Sequence, residues 1–557
     1  MLVKLKILGV ITLKICLCSW SFAQQGHSYP RTACFTWGGA PAEWYAKFDL
    51  VDFGGLDKSD LAKAIKLINP NIWIIQTYDW NASAHAGELI PEPFQLKLAD
   101  GENIGLYYSD YIAKEITQWG TNFTKICPEC NGQRGYEWFA DFIINRTNLS
   151  IFDGISTDGC FGGIWAHWRC PDNVDFDRNN KPDRDEHGKE WIENTYVAGI
   201  KKLKEKMRER IGNKLMVINS GMGFEDHPDI WKQNGAIIEY YGTTTNYDYE
   251  WGTYKNFMAK ARDPQASIFL AQPEYRDTQC PKDSKNYYQF MRFSLAKCMM
   301  GNGYYHFEPT ALREIAEHYY NIYYDEFGLD IGCPIGESIE IKDGIWVRYF
   351  DSGVVLLNVN SNPVIITAEE LNGIYYKFKG GQCPEVNTGE LAPFESIELM
   401  GHNFTSWSGM QAIVGDGIIL VKTPTICIAD IIIDNQAEFT SPGQSPASLI
   451  GEWEQVAQEN SGWALRVSVG HKLYSHAKGS GQVTYNPIIN VPGNYEIFEW
   501  NDGWKSIGIE YLDGNYMMVE SGENIIADAV MFRYIGDDEI NYDMFWQWLS
   551  LVLMIGG

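Results

Sequence analysis

Two carboxylates stand where apolar runs break off. Asp158 follows Asp153-Gly154-Ile155-Ser156-Thr157, and Glu239 closes Ala236-Ile237-Ile238. Burying such a group costs on the order of several kcal/mol unless it is paired or used, so its position asks for a reason. Two carboxyl groups flanking one sugar ring are the equipment for breaking a glycosidic bond. One protonates the leaving oxygen and the other acts as nucleophile or base. Asp158 and Glu239 are therefore the expected catalytic pair.

Around them lie groups suited to holding a sugar. Asp79 and Trp80 follow the apolar run Ile72–Thr77, Asn219 ends Lys214–Asn219, and Tyr240 and Tyr241 come directly after Glu239. Glu274 and Glu308 follow two further runs, and Trp165 lies a few residues beyond Asp158. Aromatic rings stack on the apolar faces of sugars, while carboxylates and amides hold their hydroxyls. These eight residues are the expected substrate-binding set.

A second chemistry is written in Asp175-Phe-Asp177-Arg-Asn179-Asn180-Lys181-Pro-Asp183-Arg-Asp185-Glu186. Asp175, Asp177, Asn179, Asp183 and Glu186 put side-chain oxygens at loop positions one, three, five, nine and twelve. The Lys181 carbonyl would supply position seven, which completes a calcium loop. Asn180 replaces the usual glycine at position six, and Asn tolerates left-handed backbone better than most residues. The expected ion is structural, bracing the loop ahead of a helix over Trp191–Ile211; no cofactor is expected for catalysis.

What must position these groups is a repeating strand–helix unit. Short apolar runs at Phe48–Phe53, Ile72–Thr77, Ile151–Thr157, Lys214–Asn219, Ala236–Glu239, Ser267–Ala271 and Tyr304–Phe307 read as strands, with an eighth near Asn122–Ile126. Helical spacing appears between them, at Trp191–Ile211, Tyr287–Met300 and Ala311–Tyr324. Alternation on this scale predicts an α/β fold, a (β/α)8 TIM barrel over residues 24–335, with strand ends at its mouth. A doubly wound sheet is the runner-up, but no Gly-rich phosphate fingerprint follows the first run. Beyond it, short alternating strands predict two all-β sandwich-like domains, over 336–425 and 428–536, and an apolar tail over 537–557.

Composition narrows the class. The chain has 557 residues, 45% hydrophobic and 21% charged, with net charge −27. Such a charge repels nucleic acid and anionic membranes, and favours a neutral polysaccharide or oligosaccharide as partner. Lys4 and Lys6 precede an apolar run ending in Ser21-Phe22-Ala23, which predicts a signal peptide over 1–23, cleaved near Ala23, and a secreted or cell-surface protein. No integral membrane partner is evident, and oligomeric state is not encoded in any pattern. Disulfide pairing is the default for cysteines of an exported chain, although Cys127-Pro-Glu-Cys130 is open between a disulfide and free thiols. There is no HExxH, GxSxG or P-loop, which argues against a metalloprotease, a serine esterase and a nucleotidase.

Over residues 30–425 the chain resembles the hypothetical glycosyl hydrolase family 15. The likeness is carried by Cys127-Pro-Glu-Cys-Asn-Gly-Gln-Arg134 with Trp138, Phe152-Asp-Gly-Ile-Ser-Thr-Asp158, the acidic loop 175–183, Met291–Ala296 with Gly303-Tyr-Tyr305, Tyr324–Asp330, Trp346–Phe350 and Val355–Asn358. The resemblance implies a glycosidase, and through retaining clans it implies Asp158 as nucleophile. Glu239 would be the acid/base, where Asp is commoner. Residues 431–534 are similar to a golvesin-type carbohydrate-binding module through Ile432-Ile-Asp-Asn435, Val491–Ile497 and Ile526–Phe532, with Tyr485 where Trp is usual. The rival from another class is a catalytically silent barrel that only binds glycans.

Overall fold

A computed structural model describes residues 27–36, 40–54, 58–79, 90–104, 120–158, 173–219, 232–239, 241–272, 285–307, 323–405, 411–435, 440–441, 443–458, 465–466, 471–500, 504–514, 516–523 and 526–536. The signal segment, the apolar tail and most of the helix expected over Ala311–Tyr324 lie outside them. Among the described residues no helix is long and apolar enough to cross a membrane.

Eight strands follow one another in a single parallel sheet: β1 (Ala33–Thr36), β2 (Leu50–Phe53), β3 (Trp73–Asp79), β4 (Gly154–Asp158), β5 (Leu215–Asn219), β6 (Gly235–Ile238), β7 (Ile268–Ala271) and β8 (Tyr304–Phe307). The ring closes where the Tyr305 amide donates to Arg31 O at 2.8 Å, beside a parallel bridge between Thr32 and Tyr305. Sequential parallel strands with helices between them make this a (β/α)8 barrel.

The expected strand at Asn122–Ile126 is not one. Asn122 Oδ1 instead accepts from the amide and hydroxyl of Thr124, at 3.1 and 2.7 Å, and its Nδ2 donates to Phe176 O at 2.8 Å. A side chain that serves its own turn this way competes with a ladder. The first place in the barrel is taken by β1, four residues that the sequence pattern does not mark.

Among the described residues the α-helices are α1 (Ala42–Tyr45), α2 (Ser59–Ile68), α3 (Gly135–Arg146), α4 (Asp183–His187), α5 (Lys189–Ile211), α6 (Tyr247–Lys260) and α7 (Lys285–Met299). In α5 the residues Ile192, Tyr196, Ile200, Leu203, Met207 and Ile211 recur at helical spacing and are all buried. They face Ile155, Met216 and Ile218, the outward positions of β4 and β5. Helix α6 is capped by Asn246, whose side chain accepts from the Tyr249 amide at 3.1 Å, a common device for the unpaired first turn.

Successive residues of a strand face opposite sides. One alternate set, Ala33, Leu50, Ile75, Leu215, Val217, Ile237, Ile268 and Tyr304, forms a single buried cluster inside the barrel. It lies toward the strand starts, where His27 seals the end by contacts to Tyr304 OH (3.0 Å) and Asn71 O (2.9 Å). The floor is apolar and closed.

Residues beyond the barrel build antiparallel sheets. A five-stranded sheet runs Tyr376–Lys377, Asp416–Val421, Gly353–Asn358, Ile345–Tyr349, Ile339–Lys342. It packs on α7, with Val355, Leu357, Ile419 and Val421 in one cluster with Met291, Phe293 and Leu295. Arg292 of α7 bonds Asp416 with both ends buried. Arg348 reaches back to Met299 O at 3.0 Å and Asn302 Oδ1 at 2.8 Å.

Further on, a four-stranded sheet (Ile431–Asp434, Ala529–Gly536, Gly493–Trp500, Trp504–Leu512) faces a three-stranded one (Ser448–Ile450, Ser480–Tyr485, Met518–Glu523). Tyr485 is buried in the core between them, so its ring packs the fold and offers no surface to a ligand. Ile432, Trp500 and Met531 join Trp44, Phe48 and Phe53 of the barrel in one apolar cluster. Beside it Asp430 takes the ammonium of Lys47 and both Nε and Nη2 of Arg533, the latter at 3.0 Å each. These charges hold the Asp430 carboxyl below its usual range even though burial pushes the other way.

Candidate active site

Following the inward set toward the strand ends, its character changes from apolar to polar on six of the eight strands, Phe35 and Leu270 keeping β1 and β7 apolar. Leu50 is followed inward by Asp52, Ile75 by Thr77, Gly154 by Ser156, Val217 by Asn219, Ile237 by Glu239, and Tyr304 by His306. Polar groups therefore line one end of the barrel and apolar groups the other. Chemistry belongs to the polar end.

Asn219 and Glu239 meet there. Asn219 is buried, and its Nδ2 donates to Glu239 Oε1 at 2.7 Å. Glu239 itself is half-buried. The strand ladder places Asp158 beside Asp79 at the ends of β4 and β3. Trp80, Trp165, Tyr240, Glu274 and Glu308 lie outside the described residues, as do the side chains of Asp79 and Asp158.

Tyr241 is placed elsewhere. Its ring packs on Phe269, with centroids 4.3 Å apart, and lies under the Lys297 ammonium at 4.2 Å. Phe269 faces the helices, so Tyr241 belongs to the outer layer. As the second residue after an inward Glu239 it would keep the inward face only in a continuing strand, but β6 ends at Ile238 and a turn follows.

Two inward residues were not among those expected. Asp52, fully buried in β2, accepts from Thr77 Oγ1 at 2.5 Å and from Ser156 Oγ at 2.7 and 2.8 Å. An acid inside the apolar run Leu50-Val51-Asp52-Phe53 was the available signal. His306, fully buried in β8, meets Ala33 O through Nδ1 at 3.1 Å. Burial lowers its pKa to about 4, so its ring is neutral near pH 7.

The acidic loop lies between β4 and α5. Asp175 accepts from the amides of Asn179 (3.1 Å) and Asn180 (2.8 Å), and Asp177 from that of Asn179 (3.2 Å). Asn179 Oδ1 accepts from the Lys181 amide at 2.9 Å, and Glu186 takes Asn179 Nδ2 and the Lys181 ammonium. Asp183 is fully buried at the start of α4. Four of the six expected ligand residues thus lie in the loop, and Asp183 and Glu186 lie in α4, which follows it. The seven described cysteines, Cys34, Cys127, Cys130, Cys298, Cys333, Cys383 and Cys427, are free thiols, against the pairing expected of an exported chain. Cys34, Cys127, Cys298 and Cys383 are buried as small apolar side chains, each without a partner sulfur.

No family model matches this sequence, and no curated protein matches it. Among solved structures it is similar to a glycoside hydrolase family 5 protein from Bacteroides vulgatus, at 11% identity over 68% of this chain and 83% of the other, TM-score 0.28. A beta-glucuronidase 2 from Bacteroides uniformis follows at 8% identity over 92% and 66%, TM-score 0.29. A debranching enzyme from Nostoc punctiforme stands at 8% over 68% and 86%, TM-score 0.29. With scores this low, the barrel rests on the strand ladder and not on these likenesses.

Proposed function

We propose that this protein is a secreted glycoside hydrolase acting on a neutral polysaccharide or oligosaccharide. The observation that carries the reading is the Asn219–Glu239 contact at the polar end of a barrel whose other end is closed. A half-buried carboxylate oriented by an amide is fit to give a proton to a leaving oxygen and to take one back from water. Asp158, two strands away on β4, is the nucleophile of this reading, which makes the reaction retaining. Asp79, Trp80, Trp165, Asn219, Glu274 and Glu308, with Tyr240, would surround the sugar. Tyr241 drops out of that set because its ring is spent in the outer core.

The test is product release from a panel of neutral glycans, read by mass spectrometry, for wild type, Asp158→Asn and Glu239→Gln. Loss of about a hundredfold or more in each variant supports the pair. Equal product from all three moves the chemistry to other carboxylates. Glycan binding without product from any of them favours a barrel that only binds.

A further inference from the structure

The acidic loop carries more than a sequence pattern. Asp183 has one carboxylate oxygen on the Phe176 amide at 2.7 Å, while the other, Oδ1, is buried with no hydrogen-bond partner. The residue is 0% exposed, so water does not reach it. One of its oxygens lies within 4.8 Å of ligand atoms of Glu186 and His187. A buried carboxylate oxygen with nothing donated to it, on a residue that stands close to Glu186, is an acceptor suited to a cation.

We infer that residues 175–186 bind one calcium ion through Asp175, Asp177, Asn179, the Lys181 carbonyl, Asp183 and Glu186. An all-oxygen set of this size suits a hard cation of calcium's radius. A softer metal would recruit His187, but that ring lies tilted against Trp191, with centroids 4.1 Å apart. At position six Asn180 takes φ 64°, the conformation for which such loops use glycine.

Two of the loop's own donors stand in the cation's place. Asn179 Nδ2 faces Asp177 at 3.4 Å and Glu186 at 2.7 Å, and the Lys181 ammonium holds Glu186 at 3.2 Å. Turning the Asn179 amide over would offer its oxygen to the ion, and the lysine would swing out to solvent.

The ion would brace the barrel's mouth. The Asp175 amide donates to Lys97 O, the Ala99 amide to Asn173 O, and Asn122 Nδ2 to Phe176 O, between 2.8 and 2.9 Å. Fixing the loop therefore fixes the segments 90–104 and 120–124 that lead away from β3, beside the strand that carries Asp158.

The full chain, stripped with chelator, would be titrated with calcium by calorimetry and with terbium by luminescence sensitised through Trp191. One equivalent should bind, with a rise of several degrees in Tm. Glu186→Gln and Asp175→Asn should each weaken binding tenfold or more. Lys181→Ala should bind as tightly as wild type or tighter, because it removes a competing charge and keeps every ligand. No heat and no Tm shift up to about 10 mM calcium would overturn the inference, since even weak extracellular sites fill by then. Binding untouched by both carboxylate variants, or a site selective for zinc and lost in His187→Ala, would overturn it equally. None of these readouts depends on hydrolysis.

Discussion

Asn219 Nδ2 lies 2.7 Å from Glu239 Oε1, joining the end of β5 to the residue that follows β6. An amide held in a buried strand can fix the direction in which the carboxylate presents its free oxygen. Asn219→Ala should therefore lower kcat by about ten- to a hundredfold, with a smaller change in KM. Asn219→Asp, which sets a like charge against Glu239, should be worse. Steady-state kinetics on the substrate found in the panel would check both. Equal losses in kcat for Asn219→Ala and in its melting temperature alone would reduce Asn219 to a structural role.

Glycines in this fold fall into tight and open sites. A Cβ at Gly154 would stand 2.2 Å from Leu215 O, inside the β4–β5 ladder. Neither backbone can yield without parting the strands, so Gly154→Ala should cost about 3 kcal/mol. Gly252, exposed in α6, has nothing within 4 Å of the same added atom. Gly252→Ala should stabilise by up to about 1 kcal/mol, through helix propensity alone. Denaturant unfolding of the two variants side by side measures the contrast.

His306 gives acid sensitivity a sign. Its folded pKa is about 4 against an ordinary 6.5, so the fold prefers the neutral ring. Its contribution is whole above about pH 6.5 and is lost as pH falls toward 4, because the unfolded chain takes up the proton first. Wild type should lose about 3 kcal/mol relative to His306→Gln between pH 7 and pH 4. Melting temperatures of both proteins across that window would show it, and parallel curves would refute it.

Arg292 and Asp416 are 8% and 6% exposed as side chains, and join α7 to the five-stranded sheet. Removing one leaves the other charged in a dry place. Arg292→Ala should cost about 3–5 kcal/mol, whereas Arg292→Met with Asp416→Leu should recover much of that loss. Calorimetric unfolding of the single and double variants would separate the broken pair from the pair itself.

Sequence patterning reached most of the barrel for a physical reason. Strands such as Leu215–Asn219 and Ile268–Ala271 are buried on both faces, so they stand out as continuous apolar runs. The first strand, Ala33-Cys34-Phe35-Thr36, is too mixed to do so. Asn122–Ile126 imitates a strand, yet Asn122 spends its side chain on the local turn. At the site, Glu239 and Asn219 were legible because each ends an apolar run. Asp52 was marked only as an acid inside an apolar run, and its partners Thr77 and Ser156 could not be named, because they come from two later strands that the fold brings together. Tyr241 was misplaced because a turn after β6, invisible in composition, rotates it to the helix side.

The Asp430 clamp and the apolar cluster beside it bear on how the polypeptide can be divided. Trp44 and Phe48, 4% and 1% exposed, share their cluster with Ile432, Trp500 and Met531. A polypeptide cut ahead of Asp430 would carry an oily face with Lys47 stranded at its edge, and oily faces gather one another. The sheet over Ile431–Asp434, Gly493–Trp500 and Ala529–Gly536 is thus a wall of the building and not a lean-to, and whatever it holds is carried at a set bearing to the barrel.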